Sequence, residues 1–470
     1  MSSEFAAVVC ALGIVGLFWL DRDRNHETSG ALWIPVVWLL LACSRSVAQW
    51  LNPLDPMKAI YSTGDLLEGS PLDRQIYTAL LALGLIVLFR RRRQVTILLR
   101  ENKAILAFLL YCAVSVLWSD YPGVALKRWI KVVGDFAMVL IVLTDCDYYA
   151  AVNQLLARIT YVLIPLSILF IKYYPEIGRV YGRWDGTLYC TGVTTNKNSL
   201  GAICLLFGIG SMWRFLAIYR GWEDITHRSR RLLVQSVILA MILWLFWVAH
   251  SMTSLASFLL VAALLWMASL AAIVRRTAVL SLCLAGVIIV PAVVLFIGVS
   301  PGLLEMLGRD PTLTGRTDMW NLLLGLAANP LIGTGYDSFW LGPRLDKIWS
   351  VFSWGPNEAH NGYLEMFLNL GWTGVALLTV VIAHGYRTVF ADLRRRLPLA
   401  NLMLAYFALG LIYNLTEAAF FRIMTPVSIF FVLAITSVPD ATYFVSQTSP
   451  QVRAQLHDDE LLLTEVARAE

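Results

Sequence analysis

The chain has 470 residues, 58% of them hydrophobic and only 15% charged, with a formal net charge of +5 and a mean hydropathy of +0.66. That balance excludes a soluble multi-domain protein and predicts a multi-spanning membrane protein; no nucleic-acid partner is expected. The seven cysteines form no CxxC pair and lie mostly in or beside apolar runs, so neither a zinc site nor a disulfide framework is expected.

Apolar runs able to cross about 30 Å of hydrocarbon recur along the chain. In order they are 5–20, 31–43, 75–89, 104–118, 124–143, 157–172, 198–219, 232–249, 253–274, 277–299, 361–385, 398–415 and 422–438. The fold class is therefore all-α, a polytopic membrane protein with about 12–13 transmembrane helices. Residues 1–440 form its membrane domain and 441–470 a cytoplasmic tail. Run 5–20 reads as a retained helix, because no basic segment precedes it and Asp21-Arg22-Asp23-Arg24 follows instead of a small-residue cleavage site. Trp118, Trp129, Trp213, Trp340 and Trp354 lie near run ends, where headgroup anchoring and buried packing explain them equally well.

The basic clusters Arg90 to Arg93, Arg228 with Arg230 and Arg231, Arg275-Arg276, and Arg394 to Arg396 follow the third, seventh, ninth and eleventh runs. One face thus collects all of them, and it is expected to be cytoplasmic. The segments 44–74, 173–197 and 300–360 then fall outside, the last as a large extracytoplasmic loop.

The outer segments hold the polar chemistry. Ser119-Asp120-Tyr121-Pro122 leads into a helix with Lys127 and Lys131 on one face and Arg128 beside them. Charges in a span are expensive and usually functional; snorkelling to headgroups is the plainer account. Arg183 and Lys197 precede a helix entered through Asn196-Lys197-Asn198-Ser199, whose Asn and Ser suit an N-cap. In Gly308-Arg309-Asp310-Pro311-Thr312-Leu313-Thr314-Gly315-Arg316-Thr317-Asp318-Met319-Trp320, proline and glycine interrupt the chain before a helix, placing Arg316 near a helix start. Free N–H groups, the helix dipole and a guanidinium together suit a phosphate; Arg316 and Asp318 as simple loop solvation is the alternative. Asn329-Pro330 stops that helix, and Gly333-Thr334-Gly335 reads as a tight turn, not a dinucleotide fingerprint.

Asn357-Glu358-Ala359-His360-Asn361-Gly362-Tyr363-Leu364-Glu365 then opens into run 361–385. A helix N-terminus disfavours the imidazolium, so His360 is expected neutral and able to accept a proton. A purely structural histidine is the alternative, and no HxxxH-type spacing argues for a metal. Asn414 and Glu417, near the outer end of run 398–415, are candidates to orient a site residue or to cap a turn.

This ordered set, Trp118 to Pro122, Gly182 to Gly186 with Asn196 to Asn198, Gly315 to Trp320, Asn329 to Gly335 and Ala359 to Glu365, resembles the bacterial O-antigen ligase and Wzy-type polymerase superfamily, particularly its exopolysaccharide-polymerase branch. The resembling core covers about 118–440. The resemblance implies a glycosyltransferase of the GT-C type in the bacterial inner membrane, working on the periplasmic face without metal or other cofactor. Its donor would be an oligosaccharide on undecaprenyl diphosphate, its acceptor a glycan, its surroundings membrane lipids, and a separate chain-length regulator is a further conceivable partner. Arg316 and His360 match the family's loop arginine and histidine, and Arg183 its second arginine. By the same resemblance Arg183, Arg316 and Lys197 would hold the diphosphate, with Arg309, Asp318, Glu358, Asn361, Tyr363, Lys127 and Arg128 supporting. Polymerisation of repeat units is the expected reaction; a ligase acting on a lipid or protein acceptor uses the same donor chemistry. A lipid-linked glycan flippase is the alternative of a different class. Transporters tend to carry internal repeats and mid-membrane broken helices, whereas the polar groups here concentrate in outer loops.

Overall fold

A computed structural model describes residues 2–22, 28–51, 70–181, 186–221, 227–270, 276–293, 312–423 and 425–439, with side chains in the helix beginning at Thr312 described from residue 318 onward. Apart from single-turn pieces, its helices are α1 (Ser3–Leu20), α2 (Trp33–Ala42), α3 (Pro71–Arg90), α4 (Arg92–Glu101), α5 (Lys103–Ser115), α6 (Pro122–Leu143), α7 (Tyr148–Tyr173), α8 (Lys197–Arg220) and α9 (Arg228–Ala249). The second half adds α10 (Met252–Ala268), α11 (Thr277–Val293), α12 (Thr312–Gly325), α13 (Gly342–Val351), α14 (Gly362–Arg395), α15 (Ala400–Tyr413) and α16 (Pro426–Ile435). Among the described residues, the strands are one antiparallel hairpin, β1 (Arg179–Tyr181) with β2 (Leu188–Cys190).

Six helices (α1, α3, α7, α8, α9 and α14) are long and apolar enough to cross a membrane, and six shorter apolar helices accompany them. With α6, whose 22 residues include Lys127, Arg128, Lys131 and Asp135, each of the thirteen apolar runs finds a helix. Some ends differ from the sequence expectation. Helix α7 starts at Tyr148, well before the run at 157, because Asp147 caps it by accepting from the Ala150 N–H. Helix α14 runs on to Arg395, closed by Arg396 in the left-handed region. The tail 441–470 lies outside the described residues.

Helix α8 is central: 89% of its apolar window is buried, against 11% for α1, which turns most of its surface outward. Polar groups gather at the two ends of the bundle. At one end, Asp21 after α1 pairs with Arg214 of α8 at 2.6 Å and Arg231 of α9 at 3.3 Å, and accepts from the Tyr161 hydroxyl at 2.9 Å. Asp145, after α6, meets Arg91, after α3, at 3.2 Å. Asn102, before α5, accepts from the Ser437 N–H at 2.8 Å and lies 3.0 Å from His384 Nε2. This is the end that bears the clusters Arg90 to Arg93 and Arg228 to Arg231, and we call it the basic face.

The opposite end is built around an interruption. Gly371 breaks α14 with a positive φ of 64°, which exposes backbone groups that hydrocarbon cannot satisfy. The turn at 329–335 supplies the partners. Trp372 and Thr373 donate to the Pro330 and Leu331 carbonyls at 2.8 and 3.1 Å, while Thr334 and Gly335 donate to Leu368 and Asn369 at 3.3 and 2.9 Å. The backbones approach so closely that a Cβ on Gly371 would stand 2.4 Å from the Leu331 carbonyl carbon, and one on Gly333 2.4 Å from that of Asn369. The glycines expected to make a turn do so, and the turn's purpose is to cross the break.

Beyond this crossing, the segment expected to be a polar loop carries two helices and its own apolar core, with residues 301–311 outside the described part. Met319 and Leu323 of α12 pack with Phe339, Trp340, Leu345, Ile348, Ala359 and Leu368.

On the basic face, burial works against the charge of Asp145, yet hydrogen bonds from Ser29 and Cys146 and the Arg91 guanidinium hold its carboxyl below the usual carboxylate range. A carboxyl depressed on folding contributes stability that is present above its unfolded pKa and lost as pH falls through the lower folded value. Asp145→Asn is therefore expected to cost about 1–3 kcal/mol at neutral pH. The gap between wild-type and variant melting temperatures should narrow as the solubilised protein is taken below about pH 4, the ordinary carboxylate range.

Candidate functional site

The polar end opposite the basic face centres on His360. Asn361 caps α14, its side-chain oxygen accepting from the N–H groups of Tyr363 and Leu364 at 3.0 Å each. This capping holds His360 just outside the helix with a φ of 49°, a conformation uncommon for a residue with a side chain. Asp337 (φ 48°) and Phe421 (φ 46°) share that conformation close by; both line one cleft together with Gly362, Glu365 and Arg422. Three such loop residues in one place mark a region where packing overrides local preference.

Two side chains hold the peptide before His360. The Ala359 N–H donates to Glu365 Oε2 at 2.9 Å, and the Ala359 carbonyl accepts from the Trp320 indole at 2.8 Å. Glu365 is itself fixed, accepting at Oε1 from the Trp340 indole at 2.7 Å and from the Asn369 amide at 2.9 Å. Asn369 in turn accepts from the N–H groups of Ser338 and Phe339. The broken part of α14, the 329–340 segment and α12 thus converge on one residue, Ala359, held by its N–H and its carbonyl.

His360 Nδ1 lies 2.9 Å from Glu417 Oε2 and 3.2 Å from Glu358 Oε1. Ionised carboxylates only accept hydrogen bonds, so Nδ1 carries a proton, and in the neutral imidazole that tautomer leaves Nε2 as the acceptor. Glu417 reaches the site because Asn414 folds the turn after α15, accepting from the N–H groups of Ala419 and Phe420. The same turn delivers Arg422, whose guanidinium contacts Glu358 and donates to the Asn357 carbonyl at 3.2 Å. Burial pushes the Arg422 guanidinium below its ordinary pKa; the Glu358 carboxylate is the counter-charge that favours its protonated form. His360, Glu358 and Glu417 hold ligand atoms within 4.8 Å of one another, a spacing one cation could share. Arg422 already pairs with Glu358, and Glu417 accepts from the His360 Nδ1–H, so each carboxylate of the cluster has a partner.

The other predicted residues distribute unevenly. Asn198, at the start of α8, donates to Glu417 Oε1 at 3.4 Å, so the Asn196 to Asn198 motif does reach the His360 cluster. Its neighbour Lys197 sits over the Tyr189 ring at 4.2 Å. Arg128 pairs with Asp337 at 3.5 Å, on the rim of the cleft that Arg422 also lines. Lys127 is exposed and points to no partner named here. Asp318 is exposed, whereas Tyr363 is packed against Phe420 and donates to the Leu411 carbonyl, which makes it a structural anchor. Arg183 and Arg309 lie outside the described residues, as does the Arg316 side chain. The backbone of Arg316 lies inside α12, which begins at Thr312 and not after Gly315 as the glycine suggested. It sits one turn before Trp320, the residue bonded to Ala359.

The arrangement defines an all-α polytopic membrane protein with an imidazole–carboxylate cluster at the end opposite its basic face. The O-antigen ligase family matches residues 236–379. Over 306 residues the chain is 26% identical to the exopolysaccharide production protein ExoQ of Rhizobium meliloti (strain 1021), a match covering 62% of this chain and 66% of that relative, just under two thirds of its length. Over these parts the chain is similar to the O-antigen ligase and Wzy-type superfamily.

Replacing Glu365 with Ala would leave the buried Trp340 indole and Ala359 N–H without an acceptor and the Asn369 amide with only the backbone carbonyl of position 365. A loss of at least about 3 kcal/mol is expected, read as a lower melting temperature of the purified protein, with Glu365→Gln milder because one oxygen remains.

Proposed function

We propose that the protein is a membrane glycosyltransferase that polymerises oligosaccharide repeat units carried on undecaprenyl diphosphate, at the extracytoplasmic face of a bacterial inner membrane. The observation that carries this reading is His360, held through Nδ1 by Glu417 and presented with Nε2 available at the end opposite the basic clusters. Residues 1–440 form the membrane domain of this proposal, and 118–440 its catalytic core.

In the proposed reaction an acceptor hydroxyl attacks the anomeric carbon of the donor sugar. Its proton passes to His360 Nε2, the bond between the anomeric carbon and the diphosphate oxygen breaks, and the electron pair leaves with the diphosphate. Attack from the side opposite the leaving group inverts the anomeric centre. Diphosphate is a stable leaving group, so cations that balance its developing charge matter more than a proton donor. Arg316, Arg183 and Lys197 take that role, with Arg309 in support. Glu417 fixes the tautomer and direction of the imidazole, as a carboxylate does in other acid–base dyads. The reaction needs no metal in this scheme.

A ligase that transfers finished glycan to another acceptor shares the donor half of the reaction, and the name of the matching family favours it. The exopolysaccharide role of the curated relative favours polymerisation.

His360→Ala and Arg316→Ala, made separately with membrane insertion verified, are each expected to lower transfer by at least about 100-fold, and Glu417→Gln by less. Single lipid-linked repeat units accumulating in the host without long polymer is the expected result. Long polymer left on the lipid would identify a ligase, and unchanged glycans in both variants would remove the site.

A further inference from the structure

We infer that Trp354 is the platform on which a sugar ring of the acceptor glycan stacks, beside His360. The inference rests on the transferase reading and adds to it an acceptor subsite.

Tryptophans elsewhere in the extramembrane segment are committed to the fold. Trp340 is 4% exposed and bonded to Glu365, Trp320 is bonded to Ala359, and Trp349 donates to the Pro356 carbonyl at 2.9 Å. Trp354 differs: it is 50% exposed, and among the described residues none accepts its indole N–H. Yet it is not loose. The Phe352 N–H continues α13 by donating to the Ile348 carbonyl, the Gly355 N–H closes a turn onto Phe352, and the Trp349 bond to Pro356 pins the far side. The Phe352 ring braces the indole edge-on, with centroids 6.4 Å apart. An exposed indole held in place by its neighbours offers a pre-formed apolar face with a donor at its edge, which suits a ring-shaped ligand.

Its position selects the ligand. The Trp354 and His360 rings lie 5.8 Å apart and are inclined by only 34°, so a ring resting on the indole brings its rim to the imidazole. A pyranose has an apolar C–H face that suits an indole and equatorial hydroxyls that need polar partners at the rim. Here the indole N–H can donate, and Glu358, at the imidazole's side, can accept. Because Trp354 flanks the imidazole, the sugar it carries is the one that offers a hydroxyl to the base, which is the acceptor. A headgroup anchor is the competing role for an exposed Trp at a membrane face, and it makes no demand on sugar.

The test uses a soluble one-repeat oligosaccharide prepared from the host's own polymer, titrated without donor onto the purified full-length chain. The wild type is expected to bind it, Trp354→Ala to bind about tenfold more weakly or worse, Trp354→Tyr to retain most of the affinity, and all three to melt alike. Binding is read without donor and without turnover, so this result stands apart from the catalytic assignment. No oligosaccharide binding by the wild type, equal affinity in Trp354→Ala, or equal weakening in Trp354→Ala and Trp354→Tyr would overturn the inference.

Discussion

Hydrocarbon offers no partner to a backbone amide or a charge, and that constraint organises the whole molecule. It drives most charged side chains toward the ends of the bundle, where Asp21 and Asp145 pair with arginines on one face and Glu358 and Asp337 meet Arg422 and Arg128 on the other. It also dictates the cost of any helix break. The interruption at Gly371 is sustained because the 329–335 turn supplies partners for Leu368, Asn369, Trp372 and Thr373, and the Tyr111 hydroxyl donates to Leu370. That exchange docks the extramembrane segment onto the bundle and thereby fixes where His360 emerges.

The spans were legible because length and hydropathy are local properties, and each apolar run became a helix. Helix ends were less so, since capping by residues such as Asp147 depends on individual side chains that a run of apolar residues does not reveal. The tryptophans show the same limit. Read as headgroup anchors or packing, they divide: Trp213 and Trp340 are buried, while Trp118 and Trp129 donate to the Ile332 and Leu109 carbonyls. A tryptophan near a run end is as often a hydrogen-bond donor to an adjacent loop as a marker of the interface.

Within the site, the motif around His360 could be read directly, because histidine beside an N-capping asparagine before an apolar run is a short-range pattern. Glu417 was a candidate on position alone, and Arg422 was invisible as a partner, since both arrive from a turn whose shape depends on Asn414. The clamp on Ala359 was hidden for another reason. Trp320 and Glu365 lie in recognisable motifs, but nothing in their spacing says that they hold the same residue, one by its carbonyl and the other by its N–H. What results is an imidazole whose surroundings are set by carboxylates and an arginine drawn from separate elements, with local backbone strain absorbed by that packing.

The bond between His360 and Glu417 spans 57 residues, and the one between Asn198 and Glu417 spans 219. In the order of synthesis, the imidazole therefore emerges before its carboxylate, and Asn198 waits through seven further helices for its partner. Until α15 has entered the bilayer and Asn414 has folded the turn beyond it, the chain holds a histidine with no fixed tautomer. The cluster is thus completed only after α15 and the turn beyond it are made, and a chain stalled before them would hold His360 without Glu417.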